Sequence, residues 1–429
     1  MRSTIVDRDL RLSVWRHVRE FAVPPSMIES ATARRAVGDW AGACAAARVD
    51  ADVDLREVAR LHGRELAAEV RADLRQLAPD LLRWHLPRVA PDGLLRPALT
   101  MSLARYGGVH LVARTPPAWA DAGQRISVAL WDGSRVGRLP HPRPNPDRRY
   151  RLDLHRHLWD ARYAGDLRER AGVERWPADS ADPSLPDGCA VHRWPAEAAL
   201  LRVADGAPGV PVTVRIGRRR LALHGDEAVP RPARRSAAAL PVLPYAATWL
   251  LPDLELLRAG LVDADRLHPL VAAALCGRPP GQARAGDPRA GSWRLVECDG
   301  ARHRIGLVGG VLVPFDHPPD EVRREELLAA LGGTPMPCLQ AVARVHSAPE
   351  NLDDIRSRLD HGDTAGALAV VEDLIGPAAL LRAGALRDEL EKAAARRVTH
   401  GMYRAGLVGR GPLKYLPNGR QTRYRQTTR

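Results

Sequence analysis

Nowhere does this chain of 429 residues approach the run of about eighteen apolar residues that a membrane-spanning helix needs. Its N-terminus, MRSTIVDRDLRLSVWRHVRE, places a charge every few residues and lacks the apolar stretch of a secretory leader. No membrane association is expected, and a cytoplasmic location is. Cysteine is sparse as well. Cys44, Cys189, Cys276, Cys298 and Cys338 are far apart and odd in number, so neither a disulfide framework nor a C-x-x-C metal pair is suggested. Reduced thiols are the simplest reading, and the sequence assigns no metal ligand set and no cofactor.

Several familiar sites are missing too. The chain contains no G-x-x-x-x-G-K-[ST] loop, no G-x-G-x-x-G after a strand, no H-E-x-x-H, no G-x-S-x-G elbow and no EF-hand loop. The glycines of GLVGG and GLVGRG have the wrong spacing to cradle a phosphate. No helix-turn-helix, RNP motif or zinc finger is evident, which removes sequence-specific base readout from the expected functions.

Lysine and phenylalanine are nearly absent. Arg supplies all but two of the 64 cations, the exceptions being Lys392 and Lys414, while Phe occurs twice. The codon composition of a high-GC genome produces such a bias, so the Arg count by itself carries little information. Location carries more, because a local excess holds a polyanion whereas scattered charge acts mainly on solubility. Residues 101–150 carry eight cations against three acids, residues 201–250 again eight against three, and residues 401–429 seven against none. The rest of the chain sums to −4 within a net charge of +13.

Hydrophobic content of 45% with 27% charged residues is globular, and the pattern predicts an α+β protein. Residues 1–100 read as a helical domain. Ser26 and Glu29 form a capping-box pattern after Pro24-Pro25, Asp39 is placed to cap a helix over WAGACAAARV, and LREVARLHGRELAAEVRADLRQLAPDLLRWHL alternates at helical spacing. Residues 101–318 read as a β-rich domain with Pro-rich loops. Its strand candidates are GVHLVART, RISVALWDG, YRLDLHRHLW, VTVRIGRRRLALHG and a three-stranded meander, SWRLVECDGARHRIGLVGGVLVPFD, turned at Asp299-Gly300 and Gly309-Gly310. Residues 319–400 read as helical again. Residues 401–429 read as a flexible basic tail, since Pro412, Pro417 and Asn418-Gly419 oppose a continuous helix. One phrase occurs twice: G-D-x-A-G-A-x-A starts at Gly38 and at Gly362.

The runs ARRAVGDWAGACAAARVDADVDL, APDLLRWHLPR, LLPDLELLRAGLVDADRLHPLV and VECDGARHRIGLVGG resemble an uncharacterised actinobacterial protein family, some members of which continue into C-terminal ankyrin repeats. The resemblance covers most of residues 10–380 and implies no catalytic motif. HGDTAGALAVVEDLIG resembles the opening helix of an ankyrin array, yet no T-P-L-H-x-A follows it here.

Candidate chemistry is limited. In RRYRLDLHRHLWD, read as a strand, Asp153, His155 and His157 share a face with Arg151, a set able to bind a metal or move protons in phosphodiester cleavage. Asp253, Glu255, Asp263, Asp265 and His268 fall in a helical hairpin, where capping is the favoured role and an Asp265–His268 pair the alternative. Cys298 and His303 flank the Asp299-Gly300 turn as a nucleophile and base. The basic clusters are Arg143, Arg148, Arg149 and Arg151; Arg215, Arg218, Arg219 and Arg220; and, in the tail, Lys414, Arg420, Arg423, Arg425 and Arg429 with Tyr415 and Tyr424 to stack on unpaired bases. The leading expectation is a non-enzymatic cytoplasmic protein that engages RNA or DNA mainly through backbone phosphates. A scaffold for a protein partner and a His-x-His enzyme acting on phosphodiesters or nucleotides are the alternatives.

Overall fold

The computed structural model describes residues 2–134, 141–175, 185–224, 231–232, 240–277, 294–298, 300–308, 311–347, 349, 351–376, 380–408, 413–415 and 421–423. The architecture is α+β, with helices at the N-terminus, sheets in the middle, a three-stranded meander and helices toward the C-terminus. Two compact units divide it. One comprises Met1–Ala120, Gln124–Ala283 and Tyr403–Arg429, the other Asp121–Gly123 and Arg284–Met402. The division therefore falls at different places from the breaks expected at residues 100 and 318, because one hydrophobic core gathers side chains from Leu12 to Leu275 while the meander packs with the helices that follow it.

In the larger unit α1 (Arg2–His17) precedes α2 (Pro25–Ala36) and α3 (Trp40–Ala46), followed by β1 (Val49–Asp52). The helix at Pro25 starts with proline in its first turn and without a side-chain cap, so Ser26 lies inside it rather than at its N-cap. Proline's fixed φ and missing N–H suit that first turn, which displaces the expected capping box. Asp39 does cap α3, accepting from the Gly42 amide at 2.8 Å. Helices α4 (Leu55–His62), α5 (Arg64–Gln76) and α6 (Pro79–His85) follow, then β2 (Thr100–Tyr106), β3 (Val109–Arg114) and β4 (Ile126–Trp131). The sheet order is β1-β4-β3-β2, with β1 parallel to β4 and the other pairs antiparallel. A second core joins α7 (Trp194–Ala204) to the hairpin of β5 (Val212–Ile216) and β6 (Arg219–Leu223) through Trp194, Val212, Val214 and Leu223. Helices α8 (Pro252–Arg258) and α9 (Pro269–Cys276) return to the main core.

The smaller unit holds the meander of β7 (Arg294–Cys298), β8 (Ala301–Val308) and β9 (Val311–Pro314), antiparallel throughout. Gly300 has φ +80 at the first turn, the left-handed conformation such a two-residue connection requires. Asp299, Gly309 and Gly310 lie outside the described residues. Helices α10 (Pro319–Ala330), α11 (Pro337–Ser347), α12 (Leu352–His361), α13 (Thr364–Ile375) and α14 (Ala385–Arg404), the last as far as Met402, complete it. The repeated phrase makes the same corner twice. Gly38 and Gly362 have φ +79 and +85, Asp39 and Asp363 cap the next helix, and Arg34 and Arg358, each five residues before the aspartate, reach it at 2.8 and 3.1 Å. The tail contains a two-stranded pairing, Leu413–Tyr415 with Gln421–Arg423, in place of helix.

Among the described residues, no helix is long and apolar enough to cross a membrane.

Candidate functional site

The strand expected over YRLDLHRHLW is absent: Leu152–Leu154 and Arg156–Leu158 are consecutive 3-10 turns. Contacts four residues apart hold them. His155 Nδ1 lies 3.0 Å from the Arg151 carbonyl, and Arg156 pairs with Asp160 at 2.6 Å. Four residues of strand span roughly 13 Å, so neither contact is compatible with extended chain. Asp153, His155 and His157 accordingly do not line one open face. Asp153 is paired to Arg151 at 2.8 Å and Arg105 at 3.2 Å, while His155 and His157 are 0% and 3% exposed.

His155 instead belongs to a buried network. Its Nε2 meets Glu197 Oε2 at 3.0 Å, and the same carboxylate accepts from Arg170 at 3.0 Å and Arg193 at 3.2 Å. Burial pushes the Glu197 carboxyl up, but His155, Arg170 and Arg193 together outweigh it and hold the group well below its ordinary value. Buried His157 is driven well below its ordinary value by burial and then by His155, Arg170 and Arg193. His157 is thus kept neutral in the protein interior.

The acidic cluster around Asp253 resolves in the same way. Asp253 accepts from Trp84 Nε1 at 2.7 Å and faces His85 Nε2 at 3.5 Å, and His268 meets Asp80 at 2.9 Å, all four ionisable groups being at most 3% exposed as side chains. Glu255 pairs with Arg11 at 2.5 Å. His268 turns inward to Asp80 and caps α9 through its Nδ1, which accepts from the Leu270 amide. Asp263 stands at the N-cap of a 3-10 turn, Ala264–Arg266, with no side-chain cap bond.

Two of the arginines expected to contact nucleic acid are committed internally. Arg151 is 4% exposed and bound to Asp153 and Asp205, and Arg149 forks onto Asp147 at 2.6 and 3.0 Å while lying over the Tyr150 ring. The β5–β6 hairpin differs. Arg218, Arg219 and Arg220 are exposed on it, and the antiparallel register sets Arg215 directly opposite Arg220. Burial lowers the Arg215 pKa, and the fields of Arg149, Arg220 and Arg148 lower it further against the carboxylate of Asp147. Two basic segments more than sixty residues apart in sequence are thus brought within electrostatic reach of each other. Thr100 takes the backbone carbonyl of Arg143, whose segment joins the sheet end. In the tail, Lys414, Tyr415 and Arg423 lie on the paired strands, whereas Arg420, Tyr424, Arg425 and Arg429 lie outside the described residues.

The smaller unit contains an arrangement that the sequence reading missed. Cys298, weighed with His303 as nucleophile and base, is joined there by His317 and Cys338, and one donor atom from each lies within 4.8 Å of all the others. Cys298 ends β7, His303 stands on β8, His317 follows β9 and Cys338 occupies the first turn of α11. Both cysteines are buried, and the His317 side chain is 5% exposed. Two sulfurs and two imidazole nitrogens converging from four segments are donors of the kind that could hold a metal ion. The intervals of four, thirteen and twenty residues fit no short motif, and only the pairing of β8 with β9 signals that His303 and His317 meet.

No protein-family model, curated protein or solved structure matches this chain.

Proposed function

We propose that this is a non-enzymatic cytoplasmic protein that engages nucleic acid through backbone phosphates, using the cationic face of the β5–β6 hairpin. The observation that carries the reading is Arg215 opposite Arg220 on adjacent strands. Like charges at that position destabilise a hairpin by up to about 1 kcal/mol, and a phosphate placed between them reverses the sign. Arg148 and the exposed Arg218 and Arg219 extend the same field. Arginine favours this role because its fork matches phosphate geometry. The enclosure of His155 and His157 removes the motive for phosphodiester chemistry at that segment.

The test is filter binding of the full chain to single- and double-stranded RNA and DNA over a salt series. Each phosphate neutralised contributes about 0.7 to 0.9 to the slope of log affinity against log salt. An Arg215→Ala/Arg220→Ala variant is expected to lose about 1.4 to 1.8 of that slope and to weaken all sequences alike. An unchanged slope removes the hairpin from the interface. A version ending before Pro412, run in parallel, apportions the remainder to the tail.

A further inference from the structure

We infer that Cys298, His303, His317 and Cys338 bind one zinc ion in a closed tetrahedral site whose role is to hold the smaller unit together. The donor set selects the metal: two thiolates and two imidazoles in tetrahedral arrangement suit Zn2+, and two thiolate charges balance the ion inside protein. Distances fit that purpose. His303 Nδ1 and His317 Nε2 approach to 2.6 Å, and a zinc ion with bonds of about 2.0 Å to nitrogen holds such a pair about 3.3 Å apart, so loading asks for a shift of under about 1 Å. Zinc entry displaces the two thiol protons to solvent.

The surroundings orient each ligand. His317 Nδ1 lies 3.3 Å from Glu321 Oε2, which leaves Nε2 aimed into the cluster, the carboxylate–histidine arrangement that orients a metal-binding imidazole. The Arg304 amide donates to Asp316 at 2.7 Å, the Arg304 guanidinium reaches the same carboxylate at 2.8 Å, and the Phe315 amide donates to the Arg304 carbonyl. These bonds clamp the residues adjoining His303 and His317 side by side. Cys338 stands in the first turn of α11. Glu325 of α10 accepts from the Met336 amide two residues earlier, fixing the approach to Cys338.

A second observation says why a metal is needed. Apolar burial around the meander is meagre: one cluster holds Met336 and Leu339 beside the two cysteines, another Ile305, Leu312 and Val342. No described residue of α10 is buried, although the helix carries Leu327 and Leu328, which are exposed. Helix α10 meets the rest of this region through half-buried Val322 against the Cys298 cluster, the Glu321–His317 contact and the Glu325–Met336 hydrogen bond, and a core this small ordinarily requires a staple. With all four positions supplied by protein, no coordination site remains for substrate, so the centre is structural.

The experiment uses the full chain produced with zinc and passed through a desalting column. Elemental analysis is expected to find about one zinc per chain, and Co2+ exchanged into the site to show the visible and thiolate charge-transfer bands of a tetrahedral S2N2 centre. Cys298→Ser/Cys338→Ser is expected to lose the zinc, and Cys276→Ser, at an exposed cysteine, to keep it. Should the double variant fail to fold, Glu321→Gln decides: it leaves all four ligands and is expected to weaken zinc binding about 10- to 100-fold in a chelator competition. A wild-type chain without zinc, a double variant that retains it, or a Cys298–Cys338 disulfide found by mass spectrometry in its place overturns the inference.

Discussion

Replacing Glu197 by glutamine tests the interior of the larger unit directly. The side chain keeps its shape, but one carboxylate that now meets His155, Arg170 and Arg193 at 3.0 to 3.2 Å becomes an amide whose N–H groups face donors. Arg193 and Glu197 are buried, so the cations left behind cannot rehydrate without opening the fold. Removing one partner from a buried ionic set costs about 3–5 kcal/mol. For a unit of this size roughly 2 °C is lost per kcal/mol, giving a fall of about 6–10 °C in Tm by scanning calorimetry near neutral pH. The pH dependence sharpens the test. Since the folded carboxyl is held below its ordinary value of 4.5, its contribution is complete above that value and is lost as pH falls toward the folded one. The gap between wild type and Glu197→Gln should therefore be constant from about pH 7 to 5 and narrow by about 1.4 kcal/mol per unit below 4.5. A loss under about 2 °C at neutral pH, or a gap that widens in acid, refutes the network as described.

Other outcomes follow from the same geometry. Asp39→Ala and Asp363→Ala should each cost about 1 kcal/mol and speed hydrogen exchange at the Gly42 and Gly366 amides; an effect at one corner alone denies their equivalence. Tyr106→Phe deletes a 2.6 Å hydrogen bond to the Asp73 carboxylate and should cost about 1.5–3 kcal/mol by urea denaturation, toward the lower end because Arg156 and Arg162 still hold Asp73. Burial, with Asp39 and Asp80 adding to it, pushes the Cys44 thiol up to about 12, and burial leads in raising Cys189 to about 12. At pH 8 about one such thiol in ten thousand is ionised, so iodoacetamide should label exposed Cys276 well before either in the native protein, and equal labelling is the contrary result.

What could be read from the residues alone was local. The meander is announced by alternation on both sides of Gly300, and the Asp39 and Asp363 caps by an aspartate three residues before the amide it accepts. The interactions involved close within a few residues, so neighbouring side chains and φ preferences decide them before any tertiary contact forms. YRLDLHRHLW misleads under the same rule. Its apolar spacing suits a strand, but Leu152, Leu158 and Trp159 are drawn into one core, and His155 finds its partner forty-two residues away at Glu197.

Distance along the chain likewise hid both candidate sites. The converging arginines of the β5–β6 face come from segments that composition marked as basic, yet burial of Arg151 and the Arg149–Asp147 pair decided which of them remain on the surface. Cys298, His303, His317 and Cys338 are spread over forty-one positions with no short motif among them. Composition and local patterning thus determined where the positive charge is concentrated and which helices and turns form. Only the tertiary structure decided which polar groups are enclosed and which four donors meet, because strand register and helix packing set those distances and no local propensity does.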